Sequence, residues 1–418
     1  MSLGWISIGA LVLAVGLSCT TSLNVGVLSL VMAWFVGVYL GGMSLGEVLE
    51  GFPTALLVTL IGVTLLFAIA ECNGTLERVT ARLVRLCRGN AGVLPIMFFG
   101  LGLVVATIGA GGTPASALLA PAAMAVAGRA SIPPLLMAIT VGNGALAGTL
   151  SPFAPGGIVA SGIMARIGLA GVEWQTYWYN VLAHSTVGLG GFVLLGGLRL
   201  FKRNGHTGDH GTVPPVDREA GSMEPHHWLT VGGISALIVG VTVFDMHVGM
   251  TAMAIAAVLT LLRTVDEQQA IRRMPWNVIL MVTGVTVLVA MMEKTQGMDL
   301  FTNGLANIST PGTVVPIIAF GAGTISVYSS TSGVVMPALL PMVPELAERV
   351  GDIEPLRLAW AVTVGGGLVD LSSLSTVGAL FLAAAPPGTD TRAMFNALIA
   401  WGLSMTVVGA AFCWLLFG

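Results

Sequence analysis

Two short stretches of this sequence gather hydroxyl groups and glycines within otherwise apolar surroundings. One is Gly323-Thr-Ile-Ser-Val-Tyr-Ser-Ser-Thr-Ser-Gly333, which sets Ser329, Ser330, Thr331 and Ser332 in a row. The other is Thr107-Ile-Gly-Ala-Gly-Gly-Thr-Pro114, with Ser116 just beyond it. Each is followed by a run that cannot be a continuous helix. Thr140–Gly157 holds Gly142, Asn143, Thr149, Ser151 and Pro152, and Thr363–Thr376 holds Gly366, Asp370, Ser372, Ser373, Ser375 and Thr376. Hydroxyls, backbone N–H groups and helix N-termini can hold an anion without lysine or arginine. Carbonyls released where a helix unwinds are hard oxygen ligands for a small cation such as Na⁺. The candidate substrate contacts are Thr113, Pro114, Ser116, Asn143, Ser151, Pro152, Ser329, Ser330, Thr331, Ser332, Ser373, Ser375 and Thr376. The candidate Na⁺ ligands are Gly111, Gly112, Thr113, Gly142, Asn143, Ser330, Thr331, Gly366 and Asp370. Serine and threonine in membrane helices often bond only their own preceding turn, and glycine often serves packing alone. Concentration in two pairs of corresponding places is what favours a ligand-binding role. Asp370 is the acidic residue deepest in an apolar segment, and a carboxylate there is costly enough to suggest a cation ligand or proton carrier; the alternative is a cap on a half-helix.

The elements that position these residues follow from hydropathy. Hydrophobic residues make up 55% of the 418 and charged residues 9%, with a mean hydropathy of +0.91, too little polar surface to coat a soluble globule. Several stretches approach the roughly 20 apolar residues that cross a bilayer. The first of them lacks a positive start and reads as a retained helix rather than a signal peptide. Residues 92–128 are apolar but interrupted at Thr107–Pro114, and the flanking Arg88 and Arg129 must share the cytoplasmic side. That geometry is a re-entrant hairpin, and broken backbone at membrane depth is tolerated only where it is buried or lines a cavity. Residues 313–347 form a second hairpin from the outside. Broken helices follow over 133–168 and 358–384, and such paired interruptions are the best sequence pointer to a transporter site.

An internal repeat underlies this pairing. Pro53-Thr-Ala-Leu-Leu-Val-Thr-Leu-Ile-Gly-Val-Thr64 matches Pro275-Trp-Asn-Val-Ile-Leu-Met-Val-Thr-Gly-Val-Thr286, and Ala138-Ile-Thr-Val-Gly142 matches Ala361-Val-Thr-Val-Gly365. After the first copy, Thr75–Gly89 carries Arg78, Arg82, Arg85 and Arg88 on one face, an interfacial helix on the cytoplasmic side. Its counterpart Met298–Pro311 has no lysine or arginine, so the two repeats have opposite orientations. The expected fold is an all-α polytopic membrane protein of about ten spanning helices and two re-entrant hairpins. The repeats cover 1–201 and 227–418, joined by a cytoplasmic linker over 202–226, with both termini outside.

Cys19, Cys72, Cys87 and Cys413 show no metal or disulfide spacing, no cofactor is implied, and no basic block suggests nucleic acid. No span carries a Ser/His/Asp set, an H-E-x-x-H or paired aspartates, so an enzyme is not expected. His184 reads as a packing residue on a scaffold helix. Glu71 and Glu293, at matching helix ends, read as structural.

This pattern resembles the divalent anion/sodium symporter family of the ion transporter superfamily, most closely its malonate- and dicarboxylate-carrier branch, over nearly the whole chain. In that family each hairpin tip carries Ser-Asn-Thr. Ser329-Ser330-Thr331 is similar to the second tripeptide with Ser in place of Asn, and Gly111-Gly112-Thr113 keeps the threonine of the first. Thr113 lies eight residues before Pro121, whereas Thr331 lies six before Pro337. Aligned by tripeptide, Thr331 stands opposite Thr113; aligned by proline, Ser329 does. The resemblance implies substrate carboxylates and Na⁺ between tips and breaks, a homodimer, and a transport domain that moves against a scaffold. One N-terminal helix of many members is missing here. The expected function is Na⁺- or H⁺-coupled carriage of a small dicarboxylate, of the malonate or C4 class, across a bacterial inner membrane by alternating access. The alternative is a cation/proton antiporter or arsenite-type exporter of the same superfamily.

Overall fold

The computed structural model describes residues 2–21, 23–86, 91–202 and 223–418, and every regular element among them is helical. Cys87, Arg88 and most of the 202–226 linker lie outside the described residues. The first part comprises α1 (Leu3–Thr20), α2 (Val25–Trp34), α3 (Leu45–Leu49), α4 (Thr54–Cys72), α5 (Thr75–Leu86), α6 (Val93–Val105), α7 (Gly112–Arg129), α8 (Pro134–Ala147), α9 (Pro155–Arg166), α10 (Glu173–Leu194) and α11 (Gly197–Lys202). The second comprises α12 (Pro225–Phe244), α13 (Val248–Leu261), α14 (Glu267–Arg273), α15 (Trp276–Lys294), α16 (Gly297–Asn307), α17 (Val314–Tyr328), α18 (Met336–Leu339), α19 (Val343–Val350), α20 (Pro355–Gly367), α21 (Thr376–Ala383) and α22 (Thr391–Phe417).

Among the described residues four helical stretches are long and apolar enough to cross a bilayer unbroken: α4, Val93–Ala110, α15 and α22. A fifth is a pair, Val314–Val327 and Thr331–Leu339, bent by 120°. Further apolar helices, such as Val25–Leu40 and Pro134–Ala147, are shorter. The chain is a multi-pass membrane protein. The expected ten spans compare with this smaller set of uninterrupted ones because proline and glycine cut the remainder into shorter rods.

The order of elements from α4 to α10 recurs from α15 to α22. Each begins with a 19-residue apolar helix entered from a proline. A short helix follows, then two helices joined at a tip, then two helices joined across a break, then a long closing helix. The opening helices α4 and α15 touch, and ion pairs mark both ends. Lys294 at the end of α15 bonds Glu50 before α4 at 2.6 Å. Arg273 before α15 bonds Glu71 near the end of α4 at 3.2 Å. The two helices therefore run antiparallel.

The first hairpin, expected at 92–128, is α6, a π-helical turn at Ala106–Ala110, and α7. Its tip turns on Gly109 (φ 126°) and Gly111 (φ 81°), conformations that L side chains avoid. The second places its π turn after the tip, at Thr331–Val335, leading into α18. Prolines at the starts of α18 and α19 divide its outgoing arm within the expected 313–347. The broken helices are α8 and α9, interrupted at 148–154, and α20 and α21, interrupted at 368–375. Proline opens α8, α9 and α20, and α21 is capped by Ser375 Oγ, which accepts from Gly378 N at 3.2 Å.

Candidate functional site

At the first tip, Ser151 Oγ in the break donates to the carbonyl of Thr107 in the π turn at 2.7 Å. Thr107 Oγ1 lies 3.0 Å from Tyr177 Oη on α10. The start of α7 presses on the same break: a Cβ on Gly112 would collide with Thr149 Oγ1.

At the second tip the link is through a carboxylate. Asp370 Oδ1 accepts from Thr331 Oγ1 at 2.8 Å and Ser326 Oγ at 3.0 Å, and those two hydroxyls lie 2.5 Å apart. Among the described residues the other carboxylate oxygen has no hydrogen-bond partner, and Asp370 is half-buried. Ser375 Oγ donates to the carbonyls of Asp370 and, at 2.7 Å, Ser372. Gly366 gives Thr331 its room, since a Cβ there would sit 2.9 Å from Thr331 Cγ2. A carboxylate, hydroxyls and unwound carbonyls form a hard, all-oxygen donor set, suited to Na⁺ or a proton.

The two breaks share one turn geometry. The amide of Phe153 donates to Ser151 Oγ at 3.3 Å, and that of Leu374 to Ser372 Oγ at 3.3 Å. Ala154 N reaches Ser151 O at 2.9 Å, as Ser375 N reaches Ser372 O at 2.9 Å. Ser151 thus corresponds to Ser372, and two residues earlier Thr149 corresponds to Asp370. The outgoing arms begin at Gly112 and Thr331, and each faces its own member of that pair. The tip register therefore sets Thr331 opposite Gly112, one residue from the tripeptide alignment. The repeats also interlock crosswise: α7 packs on α21, and Thr331–Leu339 packs on α9.

The predicted residues fall into three groups. Thr331, Asp370 and Ser375 gather at the second tip and break, and Gly111, Gly112 and Ser151 at the first. Thr113, Pro114 and Thr376 are exposed, and Pro152, Ser330 and Ser332 are partly so. Ser330 Oγ caps the π turn by accepting from Gly333 N at 3.1 Å. The third group is engaged within the protein. Asn143 is fully buried and bonds Ile139 O at 2.9 Å and His184 Nδ1 at 2.9 Å. Ser373 Oγ donates to Phe395 O at 3.0 Å, and Ser329 Oγ to Ile325 O at 2.7 Å. Ser116 Oγ is the exception, buried with no hydrogen-bond partner among the described residues, and Gly142 lies against Leu371 of the opposite break. Ser326 was not among the predicted residues; its position inside the second tip, five residues before Thr331, was the available signal. His184, expected as a packing residue, is buried and bonds Asn143 of the broken helix α8.

Comparison with known proteins agrees with this architecture. Residues 1–149 match the family described as dicarboxylate carrier protein MatC N-terminus. No curated protein matches the chain. Among solved structures, the crystal structure of the Alcanivorax borkumensis YdaH transporter, described as having an unusual topology, is similar with a TM-score of 0.58 at 16% identity. That similarity covers 88% of this chain and 86% of the other. The chain is thus all-α with a transporter's fold, and through its first 149 residues the resemblance to the dicarboxylate carriers drawn from its sequence is borne out.

Proposed function

We propose that the chain is a secondary transporter that carries a small dicarboxylate, of the malonate or C4 class, in company with a cation. The observation that carries this reading is the closure of each hairpin tip on its own break, through Ser151 at one and Asp370 with Thr331 and Ser326 at the other. Tips and breaks in two copies supply oxygen ligands and half-helix ends around a shared centre, as midplane transporter sites do. The match of residues 1–149 to the MatC N-terminal family points to dicarboxylates among anions. Na⁺ fits the donor set, and Asp370 keeps H⁺ in play. A bound cation next to the substrate would offset part of its charge. The antiparallel α4 and α15 support two repeats inverted in the membrane. Alternating access, with hairpins and broken helices moving against the outer helices of a homodimer in an inner membrane, completes the reading.

The test is uptake of labelled malonate or succinate by purified protein in liposomes under an inward Na⁺ or H⁺ gradient. Gradient-stimulated uptake supports coupling, and uptake indifferent to both removes it. Asp370→Asn separates the alternatives: it abolishes exchange by a proton antiporter but shifts the cation dependence of a dicarboxylate symporter.

A further inference from the structure

The buried face of α10 carries three polar residues one turn apart, Thr176, Asn180 and His184, none more than 3% exposed. All three reach broken helices. Asn180 Nδ2 donates to the carbonyls of Leu146 at 3.0 Å and Ala147 at 2.9 Å, the last residues of α8 before its break. His184 Nδ1 meets Asn143 Oδ1 at 2.9 Å. The Asn143 amide already donates to Ile139 O, so its Oδ1 is the acceptor and His184 carries its proton on Nδ1. On the opposite side, Trp360 Nε1 of α20 donates to Thr176 Oγ1 at 3.0 Å. Asn180 Oδ1 and His184 Nε2 face Gly367, the last residue of α20, where a Cβ would meet them at 3.7 and 3.5 Å. A single helix is therefore in contact with the C-terminal ends of both broken helices, one from each repeat.

Buried polar side chains in an apolar span are held there by partners that need them. Here the partners are the backbone and side chains that lead into the two breaks. We propose that Asn180 and His184 are positioning residues: by fixing α8 against α20 they set the spacing of the two breaks and, through it, the affinity of the site for its coupling cation. The proposal rests on the functional reading above, because a cation cage tolerates only small displacements of its oxygens.

Asn180→Leu and His184→Leu remove donors at nearly constant volume, whereas His184→Asn keeps a donor at the place of Nδ1. In liposomes, each leucine variant is expected to raise the apparent KM for the cation about tenfold, the effect of leaving a buried acceptor without its donor. Vmax should stay within about twofold, and His184→Asn should restore cation KM to within about threefold of the original. Loss of Vmax at unchanged cation KM, or His184→Asn as impaired as His184→Leu, overturns the proposal. Amide hydrogen exchange supplies a readout independent of transport: Asn180→Leu should speed exchange at 148–154 and at 368–375 together. Acceleration confined to 148–154 refutes a clamp across repeats. Where the unmodified protein shows no cation-dependent uptake, the functional reading falls and the exchange pattern alone decides the clamp. Where Asn180→Leu does not fold, Thr176→Val serves instead: exchange at 368–375 should rise, and unchanged exchange there overturns the proposal.

Discussion

Asp370 holds the second tip to its break by accepting from both Thr331 and Ser326. Thr331→Val keeps the shape and removes one hydroxyl. Hydrogen bonds to a charged group contribute about 1.5–3 kcal/mol, so this change should raise the apparent cation KM by about ten- to hundredfold in gradient-driven uptake. Ser326→Ala should act in the same direction, and the double variant should fall short of the sum, since the two hydroxyls share one acceptor and touch each other. Strict additivity would show that they do not act as a unit. The sequence disclosed these residues unequally. A carboxylate among apolar residues announces itself by its cost, and Asp370 was legible for that reason. Ser326, one serine among several, becomes distinctive only once Asp370 is seen within reach. The α10 residues were hidden more deeply: Asn180 meets Leu146 across 34 positions and Trp360 meets Thr176 across 184. Pairings at such separations leave no periodic trace in the chain.

Among the elements, the hairpin tips depend on close approach, and this can be probed with one methyl group. Gly366→Ala places a Cβ 2.9 Å from Thr331 Cγ2, and overpacking of this kind costs about 1–3 kcal/mol. The expected result is a lower Tm together with weakened cation dependence. Gly304→Ala in α16 is the control, because nothing beyond its own stretch of helix lies within 4 Å of the added methyl, and it should raise stability by about 0.5–1 kcal/mol. At α3, Ser44 and Glu47 form a capping box, with Ser44 N donating to Glu47 Oε2 at 2.7 Å. The Ser44 amide, with the Ser44 hydroxyl second, holds the Glu47 carboxyl below its ordinary value. The cap is therefore complete above the ordinary glutamate pKa and is lost as pH falls through the lowered one. Protection of the α3 amides, corrected for the intrinsic pH dependence of exchange, should be flat near neutrality and fall only on acidification, and Ser44→Ala should weaken the cap while the Ser44 amide keeps part of that dependence. Element boundaries were readable from proline and glycine, but the correspondence between breaks was not. The apolar motifs pair Ala138 with Ala361, whereas the turns pair Ser151 with Ser372, a difference of two residues that these helices conceal because they are buried on every side before their breaks.

Across the whole molecule, the expectation of oppositely oriented repeats rests on Arg78 and Arg82 after the first opening helix and on the absence of lysine and arginine from α16. The antiparallel contact of α4 with α15 is marked at each end by an ion pair, Glu50 with Lys294 and Glu71 with Arg273. These pairs are exposed, and Glu71→Gln should change stability by no more than about 1 kcal/mol in thermal unfolding. A larger loss would give the Arg273 contact more than a surface role. The halves differ most where they correspond most closely: one break carries the hydroxyl of Thr149 at the position where the other carries the carboxylate of Asp370. A domain that crosses the membrane field with that carboxylate ionised and no cation on it displaces one elementary charge, worth about 2.3 kcal/mol for each 100 mV traversed. The return of the empty carrier would then be a voltage-sensitive step. Where the empty return limits turnover in liposomes clamped at different potentials, the rate should follow the voltage in the protein as it stands and lose that dependence in Asp370→Asn.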